Sequence, residues 1–219
     1  MGRRALRKID PALDLADYLT TPETLPDPWD AVELFGRQAP LEVEIGSGKG
    51  LFLAGAAASR PERNFLGIEI TLNYARFAAT KLAKARLANA MLVHGDALRI
   101  FAGSLPAESV EAVHIYFPDP WWKKRHKKRR VIRDSFLKDV QRVLAPGGCF
   151  HFWTDVQEYY QTTLSILRAA TQLSGPLAMP EDSASHDMDY RTHFERRKRQ
   201  QGMTIYRALF RKTTNPPLS

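Results

Sequence analysis

From Leu41 onward, short apolar runs and longer helical patterns take turns along the chain, and this alternation constrains the fold more than any other feature. Leu41 to Ile45, Phe65 to Ile70, Met91 to His94, Val110 to Phe117 and Cys149 to Thr154 read as strands. Lys49 to Ser59, Asn73 to Leu87 and about Ile132 to Leu144 read as helices, the last stopped by Ala145-Pro146-Gly147-Gly148, and Val156 to Ala170 reads as a further helix. Strands that alternate with helices form a parallel sheet with right-handed crossovers. The expected class is α/β, a doubly wound and mostly parallel sheet, with ligands bound at the carboxyl ends of the strands near the switch point. A Ser/Gly/Pro-rich loop near Ser174 to Ser185 follows, then a charged helix around Thr192 to Gln200 and an antiparallel last strand, Met203 to Phe210. With 219 residues and 44% hydrophobic content, the chain can bury one sizeable core. We expect one domain over residues 41 to 212 and a tail from 213 to 219. Residues 1 to 40, punctuated by Pro11, Pro22, Pro26, Pro28 and Pro40, read as a peripheral arm with one short helix from Pro11 to Leu19.

The first strand runs into Glu44-Ile45-Gly46-Ser47-Gly48-Lys49-Gly50, a glycine turn that lets backbone approach a ligand at the start of a helix. Gly50 follows Lys49, so the Walker pattern is absent, and Leu51 stands where a dinucleotide fingerprint requires its third glycine. Glu44 is a poor neighbour for pyrophosphate and a good one for a cation. S-adenosylmethionine carries a sulfonium and an α-ammonium and no phosphate, so its charge fits. Two more acids fall at successive strand ends. Glu69 lies 21 residues after Gly48, where a carboxylate can bond a ribose diol, and Asp96 is placed to accept from an adenine amino group.

A second feature is local charge. Of the 32 Lys and Arg residues, eight lie between Lys123 and Arg133 with no acid among them, so the remaining 24 balance the 24 Asp and Glu and the whole net charge of +8 sits in this segment. Such a field recruits a polyanion. Directly before it stands Phe117-Pro118-Asp119-Pro120-Trp121-Trp122, a Pro-fixed acid with two aromatics that are candidates for stacking on an unpaired base or for core packing. Arg191, Arg196, Arg197, Lys198 and Arg199 form a second cationic cluster.

Taken together, Glu44 to Gly50, Glu69, Asp96 and the ungapped Pro118-to-Arg130 segment resemble the bacterial tRNA (guanine-N7-)-methyltransferase family, over roughly residues 40 to 212. Trp153-Thr154-Asp155 and Thr192-His193-Phe194-Glu195 are similar to it as well, with His193 where the family more often has Asn. The resemblance implies a Rossmann-like class I methyltransferase fold, S-adenosyl-L-methionine as cofactor, and guanine 46 of the tRNA variable loop as substrate. It also implies cofactor contacts from Glu44, Gly46, Gly48, Glu69, Asp96 and Asp119, and a catalytic role for Asp119. Lys123, Asp155, Thr192, His193, Phe194 and Glu195 would contact the substrate, and Arg125, His126, Lys127, Lys128, Arg129 and Arg130 the RNA.

Guanine N7 has an in-plane lone pair and no proton, so its methylation needs positioning and charge stabilisation rather than a base. Asp119 and Asp155, at the ends of the fourth and fifth strands, are the candidate acceptors for the guanine edge, with Glu195 third. His94, His114, His151 and His186 show no ligand or base arrangement in the sequence. The alternatives are a class I methyltransferase acting on another RNA or a protein, a non-catalytic RNA-binding module on the same fold, and, more distantly, a nicotinamide dehydrogenase. A single cysteine, Cys149, excludes an intrachain disulfide and suits a reducing compartment, with the cytoplasm as the expected location. No apolar run of 18 residues and no signal-like leader point to a membrane, and no Cys/His cluster has zinc spacing.

Overall fold

The structure, a computed structural model, describes residues 13–26, 29–121, 125, 130–178, 195 and 201–214. Its sheet is built from β1 (Leu19–Thr20), β2 (Leu41–Ile45), β3 (Asn64–Glu69), β4 (Ala90–His94), β5 (Val110–Tyr116), β6 (Leu144–Thr154) and β7 (Tyr206–Arg211), in the order β1-β4-β3-β2-β5-β6-β7. Every pairing is parallel except β6 with β7. The chain winds outward from β2 through β3 to β4, then returns to lay β5 and β6 on the other side of β2. The switch point therefore lies between β2 and β5.

The helices follow from which side of each strand is apolar. Leu41, Val43 and Ile45 of β2, with Leu66, Ile68, Val93, Val113 and Ile115, face α4 (Ala97–Arg99), α5 (Asp134–Val143) and α6 (Gln157–Ala170). α5 buries Phe136, Leu137, Val140 and Val143, one stripe at helical spacing. The opposite side packs α2 (Leu51–Ser59) and α3 (Leu72–Ala85) through Phe52, Leu53, Ala56, Ala57, Ala78, Ala79 and Leu82. Gly50, at φ +64°, is the N-cap of α2, and a Cβ there would stand 2.6 Å from the Ala78 Cβ, so the two helices touch through a missing side chain. The result is a three-layer α/β/α sandwich, as the alternation predicts. No described helix is long and apolar enough to cross a membrane.

Two local expectations need correction. The helix expected from Pro11 to Leu19 is absent over its described part: Leu15 to Tyr18 form a turn, and Leu19–Thr20 become β1 on the outer edge of β4, where the Leu92 N–H donates to the Tyr18 carbonyl at 2.9 Å. The unpaired edge of β4 outweighs the local helical pattern. Other residues of this segment also join the body of the fold: Ala31–Phe35 forms the short helix α1, and Leu25 and Trp29 are buried in the core. Ala145 to Gly148 do follow the end of α5, but they lie inside β6 as a bulge, with Gly147 at φ +81° and hydrogen bonds from Gly147 to Lys212 and from Lys212 to Gly148. The charged helix around Thr192 to Gln200 lies outside the described residues apart from Glu195.

Candidate active site

The glycine turn at the end of β2 is fixed by its neighbour β3. The Gly46 N–H donates to the Ile68 carbonyl at 2.8 Å, and the Gly48 N–H donates to Glu69 Oε2 at 2.8 Å. Glu69 spends its other oxygen on the Thr71 N–H, also at 2.8 Å, so one buried carboxylate ties the turn to the start of α3. Gly67 makes room for this arrangement. A Cβ on it would lie 2.5 Å from the Ser47 Oγ, which explains a glycine in the middle of a buried strand. Asp96 begins α4 at the end of β4, where its Oδ1 accepts from the Leu98 N–H at 2.9 Å, and the Gly95 N–H donates to the Glu69 carbonyl at 3.1 Å. The structure thus brings Glu44, Gly46, Gly48, Glu69 and Asp96 to the carboxyl ends of β2, β3 and β4.

Glu44 is the electrostatic anomaly of this cluster. It is only 4% exposed, and its Oε2 has no hydrogen-bond partner among the described residues. Burial, reinforced by the nearby Glu69 charge, pushes its carboxyl up to about 8. A buried group in that condition is stabilised by a cation placed against it.

Across the switch point, β5 ends in a corner built from Phe117 to Trp121. Phe117 (φ +51°) and Trp121 (φ +44°) both adopt the left-handed region, which costs a bulky residue about 1 to 3 kcal/mol. Such a corner persists only where its surroundings hold it. At one end, the Phe117 N–H donates to the Trp153 carbonyl at 2.8 Å. At the other, Arg130 Nε donates to the Pro120 carbonyl at 2.7 Å, while the Arg130 guanidinium carbon lies 4.9 Å from the centre of the Tyr159 ring. Between these anchors Asp119 is exposed, and Trp121 is half-buried. Tyr116 pairs with Trp153, so Asp119 and Asp155 follow neighbouring strand ends. Glu195 is buried at 3% exposure, and Arg125 is exposed. Lys123, His126, Lys127, Lys128, Arg129, Thr192, His193 and Phe194 lie outside the described residues.

Sequence reasoning did not find Tyr159, whose only signal was its place on the apolar stripe of α6, nor the anchoring use of Arg130. It also passed over His114, which lies 2.9 Å from Glu42 Oε2 and 2.9 Å from the Tyr116 hydroxyl. Arg60 and Arg63 both donate to Glu42 Oε1. Burial alone would raise the Glu42 carboxyl, but His114 and Arg60 outweigh it and hold it below the usual range. Glu42 and His114 lie further down β2 and β5 than Glu44 and the Pro-bracketed corner, and with Arg60 and Arg63 they form a hydrogen-bonded polar group there.

Residues 38–208 match the family described as "Putative methyltransferase". A tRNA (guanine-N(7)-)-methyltransferase from Rhodopirellula baltica is 47% identical over 218 residues, covering 97% of this chain and 80% of the relative. The chain belongs to this methyltransferase family. A second member, the tRNA (guanine-N(7)-)-methyltransferase from Nitrosococcus oceani, is 37% identical over 188 residues, covering 86% of this chain and 78% of that protein. Among solved structures, the 16S rRNA methyltransferase KamB superposes with a TM-score of 0.61 at 17% identity, over 83% of this chain and 91% of that one, and so shares the Rossmann-like fold.

A methyltransferase of this family needs a pocket for S-adenosylmethionine, and the residues present fit one. Space is open at Gly46 and Gly48, both at positive φ: a Cβ on Gly46 would meet nothing within 4 Å, and one on Gly48 only the Gly46 carbonyl at 3.9 Å. The unpartnered Glu44 oxygen suits an ammonium. Glu69 keeps lone pairs beyond those given to Gly48 and Thr71, and Asp96 has one oxygen left over from its cap.

Proposed function

We propose that this protein transfers the methyl group of S-adenosyl-L-methionine to N7 of guanine 46 in the variable loop of tRNA. The observation that carries the reading is the 47% identity to a tRNA (guanine-N(7)-)-methyltransferase across 97% of the chain. The glycine turn with its buried acid supports the cofactor, and the run from Lys123 to Arg133 supports a polyanionic substrate. A tRNA substrate puts the work in the cytoplasm.

In this reading Glu44, Gly46, Gly48, Glu69 and Asp96 hold the cofactor, which supplies an electrophilic methyl carbon on a sulfonium. Asp119 and Asp155 accept hydrogen bonds from the guanine edge and aim N7 at that carbon, an orientation effect large enough to carry much of the rate. With the cofactor bound, the N7 lone pair would form the new bond to the methyl carbon as the carbon–sulfur bond breaks with its electron pair left on sulfur, so a neutral thioether would leave and the positive charge would pass to the purine. Asp119, exposed at the mouth of the crevice, stabilises that charge as it develops. No proton leaves N7, so no side chain acts as a base there. Glu195, Lys123 and Thr192 to Phe194 contact the substrate, and Arg125 to Arg129 engage its phosphates.

The test is incubation with unmodified tRNA and labelled cofactor, followed by mapping of the modified atom. We expect 7-methylguanosine at position 46, and Asp119→Asn should cut the single-turnover rate roughly 10²-fold while cofactor and tRNA affinity stay near parental. Methylation at another atom or in another RNA would redirect the reading to a different target. Binding of tRNA with no methyl transfer would make the protein a non-catalytic module.

A further inference from the structure

The basic run ends at Arg130, where the chain re-enters the body of the fold through half-buried Val131 and buried Ile132. By its place in the sequence Arg130 is one more phosphate contact. Its contacts indicate another use. The in-plane Nε–H is given to the Pro120 carbonyl at 2.7 Å, and the guanidinium lies over the ring of Tyr159, which is 1% exposed on α6. Pro120 is the residue between Asp119 and the left-handed Trp121. One side chain thus joins the strained corner to a buried helix.

We propose that Arg130 is a positioning residue that holds the Phe117–Trp121 corner, and with it Asp119, against α6, rather than a contact to the RNA backbone. Only a planar, delocalised cation can donate in its own plane to a carbonyl while laying its surface on an aromatic ring. The other end of the corner is fixed by the Phe117 N–H to Trp153 carbonyl bond, which belongs to the sheet. With Phe117 and Trp121 both in the left-handed region, loss of the Arg130 anchor shifts the corner toward commoner backbone angles. Asp119 then moves relative to the glycine turn while the cofactor pocket, built on β2, β3 and β4, stays intact.

The inference rests on the proposed function, and the experiment separates the two. Arg130→Lys, Arg130→Gln, Tyr159→Phe, Tyr159→Leu and Asp119→Asn are compared with the parent for cofactor affinity, tRNA affinity as a function of salt, and single-turnover methyl transfer at saturating tRNA and cofactor. Cofactor affinity within two-fold of parental certifies the fold of each Arg130 and Tyr159 variant, thermal melting that of Asp119→Asn, and Arg130→Lys carries the test if the Gln variant does not fold. We expect Arg130→Lys to lose roughly 10- to 100-fold in rate despite keeping its charge, because a small misplacement of a catalytic group has effects of that size. Arg130→Gln should lose rate similarly with an unchanged salt slope. Tyr159→Phe keeps the ring and should keep the rate, whereas Tyr159→Leu should reproduce the Arg130→Lys defect. A parental rate for Arg130→Lys, or a Gln variant whose salt slope falls by about 0.7 to 0.9 while its saturating rate is unaffected, would make Arg130 a phosphate contact and overturn the proposal. If Asp119→Asn is impaired and Arg130→Lys is not, the positioning role alone falls. If Asp119→Asn is itself parental, the catalytic assignment falls with it.

Discussion

At the scale of single residues, two carboxylates near the glycine turn do opposite things. Glu69 is an acceptor for backbone donors, Gly48 N–H and Thr71 N–H, whereas Glu44 is buried with an oxygen that nothing satisfies among the described residues. Glu69→Gln therefore replaces one acceptor oxygen by an NH₂ group that must face an N–H. We expect it to weaken cofactor binding by about 2 to 4 kcal/mol in calorimetry, nearly as much as Glu69→Ala, with tRNA affinity unchanged. Unchanged cofactor affinity in both variants would remove Glu69 from the site. Glu44 gives a pH signature. Its carboxyl titrates near 4.5 in an unfolded chain and near 8 when folded, so between those values the folded state holds a proton that the unfolded chain has released. Its contribution to stability is complete below about pH 4.5 and is lost as pH rises through about 8, with a slope approaching 1.4 kcal/mol per pH unit. Chemical denaturation of the ligand-free protein from pH 5 to 8 should show this slope, and Glu44→Gln should flatten it. If the ammonium of the cofactor pairs with ionised Glu44, binding at pH 6.5 releases close to one proton. Calorimetry in buffers of different ionisation enthalpy measures that number, and a value near zero would separate Glu44 from the ammonium.

At the scale of elements, the site depends on how closely α2 and α3 approach beneath the glycine turn. Gly50 at φ +64° sets that approach, since its missing Cβ leaves only Ala78 in the way. Ala78 has no side chain that can swing aside. Gly50→Ala should therefore destabilise the fold by about 2 to 4 kcal/mol, the sum of overpacking and a left-handed alanine. It should also weaken cofactor binding, because the turn moves with α2. Thermal melting with and without cofactor checks both parts; a variant with parental melting would show that the two helices can separate at no cost. The corner after β5 follows a similar logic with different means. Among the contacts that hold it in an unusual backbone shape are a sheet hydrogen bond and an arginine, whereas the glycine turn is held by residues that need no restraint to adopt their angles.

For the whole molecule, the dominant feature is a charge that is neutral on average outside a single segment. Affinity for tRNA should fall steeply with salt. Replacing Lys127, Lys128 and Arg129 by Gln should lower the slope of log K against log salt by about 0.7 to 0.9 for each phosphate that is no longer neutralised. Filter binding across a salt series measures this, and a triple variant with the parental slope would make the run a bystander. The central strands, their alternation with helices and the acids at their ends were legible in the sequence, because each depends on local pattern: Val43 and Ile45 alternate with Glu42 and Glu44, and Gly46 and Gly48 follow at once. What was not legible depends on distant partners. β1 exists because β4 has a free edge, and a two-residue pairing leaves no periodic trace. Arg130 looked like its neighbours in the run because a charge pattern does not report which carbonyl a guanidinium meets. The switch point has a consequence for biosynthesis. Glu42 and His114, which bond across β2 and β5, are 72 positions apart, so a ribosome finishes the glycine turn well before it starts the corner that carries Asp119. The nascent chain can therefore complete the strand ends that the proposed function gives to the cofactor while the corner to which it gives the guanine does not yet exist.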